Sequence, residues 1–165
     1  MPASIYSDNV RHQKTPPRIE EDKPSPLSNK NTSFLESIKT AYPKFSFLPG
    51  RKFLFRPPKT IYYLESNENF RFLLLHELSH AVLGHFTFEK SLERLQLERD
   101  AWEKTRELCK TYDVPFDESL AEEELDTYRD WVHKKTLCKT CGLTCLEVSP
   151  ESLYCPFCQK FYKKS

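Results

Sequence analysis

The sequence predicts an α+β protein whose C-terminal end is a separate small unit held together by metal. Three observations support this prediction. Short aromatic-rich segments lie between residues 45 and 64, three helical patterns lie between residues 67 and 135, and two C-x-x-C pairs follow. The expected organisation is therefore a tail at 1–33, a larger α+β domain at 34–136 and a cysteine-rich ribbon at 137–165.

The segment 1–33 contains five prolines and few large apolar side chains. Such a segment buries too little surface to offset its ordering entropy, so we expect it to be disordered. The first residues are polar and charged, unlike a secretory signal peptide, and no later apolar run is long enough to cross a membrane. The expected location of the protein is the cytoplasm.

A short helix at 33–41 is expected to precede three strands. The strand segments are rich in Phe, Tyr and Ile, and proline-containing turns separate them. They cover 45–48, 52–56 and 60–64. We expect a small antiparallel sheet that packs on the following helix, and the sequence leaves the order of the strands open.

The following helix, predicted to start near Asn67 or Asn69 and to end near Gly84, carries the motif H-E-x-x-H. His76 and His80 are four residues apart and therefore project from one face of the helix. Two imidazoles held in this way can bind one zinc ion, and Glu77 is the natural base for a zinc-bound water. The motif predicts the active site of a zinc-dependent peptidase.

A catalytic zinc site needs a third protein ligand. The next predicted helix, at about 89–112, supplies Glu98 and Asp100, which lie about 200° apart around a helix, so that only one can face the metal. We favour Glu98, because the small Ala101 on its side allows the two helices to approach closely, and we keep Asp100 as the alternative. His85 is a weaker candidate, since it lies just beyond the end of the first helix.

Two motifs, HELSHAVLGH from His76 and ERDAWEK from Glu98, resemble the ImmA/IrrE family of metallopeptidases within the wider gluzincin group. The resemblance covers roughly 45–112 and implies a zincin-like domain that cleaves regulatory proteins. It implies that Glu98 is the zinc ligand and Asp100 an inner acid, while Trp102 stands where that pattern has a polar residue. SprT-like proteases also join H-E-x-x-H to a terminal zinc ribbon, but they carry a third His in an H-G-x-x-F context that this chain lacks.

A further helix is predicted at about 117–135, with Ser119 and Glu122 spaced as a capping box. One face of this helix is apolar and should pack on the catalytic domain, while its many acidic residues should face the solvent. The apolar face consists of Leu120, Leu125, Tyr128, Trp131 and Val132.

The two C-x-x-C pairs, Cys138/Cys141 and Cys155/Cys158, are separated by thirteen residues. Each pair can form a tight turn that directs two thiolates at one ion, so the four cysteines predict a tetrahedral structural zinc site. Iron of the rubredoxin type is the alternative metal. The segment 137–163 has too few large apolar residues for an independent core, so the metal should provide much of its folding free energy.

These features together predict an intracellular metallopeptidase with one catalytic and one structural zinc, acting on a protein or peptide substrate. His85, Tyr62 and Tyr63 are candidates to stabilise the developing oxyanion. The alternative is a catalytically idle domain that binds protein or nucleic acid through its ribbon. Six lysines against two glutamates from residue 134 onward permit nucleic-acid binding. Such blocks are more often solvated faces, so structural or docking use of the ribbon is favoured.

Overall fold

The computed structural model describes residues 29–164, so the predicted tail up to residue 28 lies outside the described part of the chain. The fold is α+β, as the sequence predicts. Its elements are, in order, α1 (Asn29–Ala41), β1 (Ser46–Pro49), β2 (Leu54–Arg56), β3 (Thr60–Tyr63), α2 (Phe70–Leu83), α3 (Ser91–Thr111), α4 (Glu118–Thr136), β4 (Leu146–Ser149), β5 (Ser152–Cys155) and β6 (Lys160–Lys163).

Helix α1 begins four residues before its predicted start, and residues 29–33, which the sequence assigned to the tail, belong to it. A contact distant in sequence accounts for the difference. The guanidinium of Arg71 donates hydrogen bonds to the side-chain oxygen of Asn31 at 3.1 Å and to the carbonyl of Lys30 at 2.8 Å. This contact holds the first turn of α1 against α2, and it cannot be predicted from the local sequence pattern.

The first three strands form a mixed sheet of order β1-β3-β2, so the expectation of a wholly antiparallel sheet is wrong. Strand β2 pairs antiparallel to β3, but β1 pairs parallel to it. The chain after β1 crosses the end of β3 instead of turning back beside it. Gly50 permits this crossing, because its N–H donates to the carbonyl of Tyr63 at 2.8 Å and a Cβ there would lie 3.1 Å from the Cβ of Tyr62.

Helix α2 is the centre of the larger domain, with the sheet on one side and α3 on the other. Phe70 packs edge-to-face on Tyr63 of β3, with ring centroids 5.7 Å apart. On the opposite side, the hydroxyls of Ser79 and Thr105 on α3 lie 3.0 Å apart, and both residues are fully buried. This pair of small residues lets the two helices approach closely, which sets the distance between the residues of the functional site.

The N-termini of α3 and α4 are capped in different ways. Before α3, the carboxylate of Glu93 accepts hydrogen bonds from the N–H groups of Glu89 and Lys90 at 2.8 and 3.1 Å. At α4, the carboxylate of Asp117 accepts from the N–H of Leu120 at 3.0 Å. The cap of α4 is therefore Asp117, and the predicted capping box of Ser119 and Glu122 is wrong.

The last three strands form a separate antiparallel sheet of order β4-β5-β6. Glu147 on β4 connects this ribbon to the larger domain, since its carboxylate accepts from the N–H of Ser91 at 2.8 Å and also pairs with Lys164. Within residues 29–164, no helix combines the length and the apolar content that crossing a bilayer would require.

Candidate metal centres

His76, His80 and Glu98 meet between α2 and α3, and all three are buried. The Nε2 atoms of the two histidines lie 3.3 Å apart. The Oε2 atom of Glu98 lies 3.2 Å from Nε2 of His80 and 3.5 Å from Nε2 of His76. The structure therefore brings together the H-E-x-x-H histidines and the carboxylate that the sequence favoured.

The spacing of these three atoms fits a metal ion. A tetrahedral zinc ion with bonds of about 2.0–2.1 Å to nitrogen and oxygen separates its ligand atoms by about 3.3–3.4 Å. The three observed separations lie within about 0.2 Å of that value. Two imidazoles and one carboxylate also leave a fourth tetrahedral position for a water or a substrate atom.

Each histidine has a different environment on its outer nitrogen. Nδ1 of His80 lies 3.0 Å from Nδ1 of His85, so the extra histidine lies behind His80 on the side away from Glu98. Nδ1 of His76 is buried and has no hydrogen-bond partner in the described chain. The ring of His76 instead stacks on Trp102, with centroids 3.8 Å apart and planes at 23°. Packing therefore orients His76, and a hydrogen bond to a third histidine orients His80.

The position of His85 follows from the end of α2. Gly84 adopts a left-handed conformation with φ 73°, and the N–H of His85 donates to the carbonyl of His80 at 3.0 Å. This turn brings the His85 side chain back against the helix it has just left. Burial and the neighbouring His80 lower the pKa of His85 to about 4, so its imidazole is neutral at pH 7.

The ionisation of His76 and of Glu98 is suited to metal binding, whereas His80 must lose a proton before its Nε2 can bind a metal. Burial lowers the pKa of His76 to about 4, which leaves a neutral imidazole at pH 7. Burial alone would raise the pKa of Glu98, but His80 and the hydrogen bonds from both imidazoles lower it below its ordinary value. Burial also opposes the positive charge on His80, but the Glu98 carboxylate outweighs the effect of burial and raises the pKa of His80.

Glu77 lies next to the cluster on α2, and one of its oxygens is fixed by the sheet. The N–H of Phe55 on β2 donates to Oε2 of Glu77 at 2.5 Å. Burial raises the pKa of Glu77 to about 7, and the carboxylate of Glu98 contributes to the increase, whereas His80 opposes it. A carboxylate with a pKa near neutrality can both accept and return a proton at physiological pH.

The other candidates from the sequence lie elsewhere. Asp100 is exposed and pairs with Arg99 at 2.9 Å. Tyr63 is buried against Phe70. Tyr62 lies beside Arg56, whose guanidinium is 5.7 Å from its ring centroid. Within residues 29–164, no hydrogen bond or ring contact joins Asp100 or either tyrosine to the metal cluster.

The structure adds Arg94 and Tyr128, which the sequence reasoning did not assign to the site. Arg94 lies one turn before Glu98 on α3 and is 4% exposed. Its guanidinium lies 5.1–5.4 Å from the ring centroids of Phe88, Tyr128 and Trp131, and its Nε has no hydrogen-bond partner in the described chain. Burial and the Glu98 carboxylate raise the pKa of Tyr128. The sequence did contain a sign that Arg94 lies near the site: it is four residues before Glu98, and this spacing places both residues on one face of α3.

The four cysteines of the ribbon form the second centre. Sγ of Cys138 lies 3.9 Å from Sγ of Cys158, and Sγ of Cys141 lies 3.7 Å from Sγ of Cys155. Four thiolates bound tetrahedrally to zinc at about 2.3 Å would be about 3.8 Å apart. Cys138 and Cys141 lie in the turn after α4, and Cys155 and Cys158 lie at the turn after β5. One ion bound by all four cysteines would therefore connect these two turns of the ribbon.

Comparison of the chain with protein-family models, with curated proteins and with solved structures found no match. The resemblance to ImmA/IrrE peptidases therefore stays an expectation from the two sequence motifs.

Proposed function

We propose that this protein is an intracellular zinc-dependent metallopeptidase. The observation that carries the proposal is the tetrahedral spacing of His76, His80 and Glu98 beside a half-buried Glu77 on the same helix as the two histidines. A carboxylate base next to an open metal position is the arrangement that hydrolysis of an amide bond requires.

Each residue of the cluster has a distinct role in this proposal. His76, His80 and Glu98 hold a zinc ion, which when bound polarises the scissile carbonyl and lowers the pKa of water. Glu77 accepts the proton of the attacking water on its free oxygen and delivers it to the leaving amine. The N–H of Phe55 holds the other oxygen of Glu77 in place.

A second candidate function is a catalytically idle domain that acts through its ribbon. The observation that favours it is the exposure of large apolar side chains on the ribbon: Leu146, Phe157 and Phe161 are 59%, 69% and 71% exposed. Exposed apolar groups on so small a unit are typical of a docking surface. An SprT-like protease has less support, since His133 is exposed at the end of α4.

The experiment that separates the first two functions is a cleavage assay on unfolded polypeptide. Zinc-loaded wild-type protein is incubated with reduced, carboxymethylated proteins, and new termini are identified by mass spectrometry. The peptidase proposal predicts cleavage that His76→Ala/His80→Ala abolishes. A wild-type protein that holds zinc at the triad and cleaves none of these polypeptides would contradict peptidase activity and leave the docking function.

A further inference from the structure

The guanidinium of Arg94 is buried without a carboxylate bonded to it. Arg94 is 4% exposed and forms no ion pair within residues 29–164, and its Nε has no hydrogen-bond partner in the described chain. Glu98, one turn further along α3, pairs instead with His76 and His80. Burial of an unpaired charge is costly in free energy. The folded chain therefore carries this cost at a position next to its metal cluster.

The aromatic rings around Arg94 explain its position but not its charge. The guanidinium lies 5.1–5.4 Å from the ring centroids of Phe88, Tyr128 and Trp131, and the last two belong to α4. Such rings attract a cation, but they do not neutralise it. A methionine of similar length would fill the same space without burying a charge. Packing of α3 against α4 therefore does not require a positive charge at this position.

The charge of Arg94 acts on the metal cluster from the side of α3. Arg94 and Glu98 are four residues apart and share one face of this helix. Burial opposes the increase in the pKa of His80 that Glu98 causes, and the positive charge of Arg94 opposes it as well. Glu77, in contrast, is held from the side of the sheet by the N–H of Phe55. The Arg94 charge and the proposed base therefore approach the cluster from different sides.

The charges of the site leave it positive when a divalent ion is bound. Glu98 is the single charged residue of the triad, so the triad and the ion together carry one net positive charge, to which Arg94 adds a second. Burial raises the pKa of Glu77 to about 7, so Glu77 contributes at most one negative charge at neutral pH. A second cation close to the ion weakens metal binding and stabilises an anion bound beside the metal.

We propose that Arg94 is a fixed positive charge that favours an anion at the open metal position. The identity of this anion rests on the proposed peptidase function: it is the tetrahedral oxyanion of amide hydrolysis. When water adds to the scissile carbonyl, its proton passes to Glu77, and the negative charge that Glu77 loses appears on the former carbonyl oxygen. A cation on the α3 side stabilises this oxygen more than it stabilises Glu77, so it favours the transition state over the bound substrate.

The first test is the zinc affinity of the triad in the full-length chain, measured by native mass spectrometry over a chelator titration. Arg94→Met removes the charge and keeps a side chain of similar length, so the triad should bind zinc about tenfold more tightly. Arg94→Gln, which is neutral but polar, should change the affinity in the same direction. Arg99→Met is the matched control, because it removes an exposed charge next to Glu98 and should change the affinity by less than about twofold.

The second test measures anion binding directly, with azide as the probe. The full-length chain is loaded with cobalt in place of zinc, and azide binding is followed by the visible absorption of the metal. A centre of four cysteines has no open position for azide, so the spectral change reports the triad. Arg94→Met should raise the Kd for azide about tenfold, whereas Arg99→Met should leave it unchanged.

Kinetic measurements connect this role of Arg94 to the proposed peptidase. If the wild-type protein cleaves peptides, Arg94→Met should lower kcat about tenfold with little change in KM, because the charge acts on the transition state. Absence of cleavage would contradict the peptidase proposal alone, since the zinc and azide affinities decide the role of Arg94 without catalysis.

Three results would overturn the role of Arg94. Weaker zinc binding in both Arg94 variants would show that the side chain only supports the packing around the triad. Unchanged azide affinity in Arg94→Met would show that its charge is not felt at the open metal position. Equal changes in Arg94→Met and Arg99→Met would show that the buried charge has no effect beyond that of an exposed one.

Discussion

His80 contacts every other polar residue of the metal cluster, so its tautomer decides what the cluster can bind. Its Nε2 faces His76 and Glu98, and its Nδ1 faces His85. A metal on Nε2 requires a proton on Nδ1, and the neutral His85 can accept that hydrogen bond. His85 is therefore a positioning residue for the proposed zinc site.

Substitution of His85 tests this role. We expect His85→Ala to weaken zinc binding at the triad about 10- to 100-fold, because the outer hydrogen bond to His80 is lost. His85→Asn keeps an acceptor on the side chain and should restore part of the affinity. The measurement is native mass spectrometry over a chelator titration, which follows the step from two zinc ions to one. Unchanged affinity in His85→Ala would contradict the role.

Glu77 is the residue on which the chemistry depends most directly. Glu77→Gln should retain both zinc ions, since the amide oxygen can still accept from the N–H of Phe55, but it cannot take a proton. We expect a loss of about 10²- to 10⁴-fold in peptide cleavage rate. Glu103→Gln, an exposed position on α3, is the matched control and should remain active. A pure Glu77→Gln protein with wild-type activity would disprove the assignment.

At the scale of elements, the helix starts offer a direct test of the capping interactions. Asp117→Ala removes the acceptor for the N–H of Leu120 and should lower the free energy of unfolding by about 1 kcal/mol. Ser119→Ala is the matched control and should change it by less than about 0.5 kcal/mol, since Ser119 is exposed and provides no cap. Urea unfolding followed by circular dichroism measures both. If Ser119→Ala lowered the free energy of unfolding more than Asp117→Ala does, the capping box that the sequence predicted would be the correct cap.

The helices were predicted well because their signals are local. Helix α2 begins after Asn69 and ends before Gly84, and the apolar spacing, the motif and the glycine all lie within that segment. Helical phase showed that only one of Glu98 and Asp100 can face the metal, and Glu98 was preferred because the small Ala101 lies on its side. The structure buries Glu98 and exposes Asp100.

Features that depend on distant contacts were not predicted. The parallel pairing of β1 with β3 requires the chain to cross the sheet at Gly50, and a short connection normally predicts an antiparallel neighbour. The contact between Nδ1 of His85 and Nδ1 of His80 was not predicted either, although it depends on a local feature, the left-handed turn at Gly84. The burial of the Arg94 guanidinium against aromatic rings was not predicted, because Tyr128 and Trp131 belong to another helix.

At the scale of the whole molecule, two candidate metal centres lie on one chain and have different donors. The triad joins α2 to α3, whereas the four cysteines join the two turns of the ribbon. Glu147 links the two parts through the N–H of Ser91 at the start of α3, the helix that carries Glu98. One folded protein therefore has two independent candidate metal sites.

Zinc per chain, measured by native mass spectrometry, tests for both sites most directly. Wild-type protein should carry two zinc ions. His76→Ala/His80→Ala and Cys155→Ser/Cys158→Ser should each carry one, because each removes two donors from a single site. One zinc in the wild type that persists in the histidine variant would contradict the account, since only the ribbon would then bind metal.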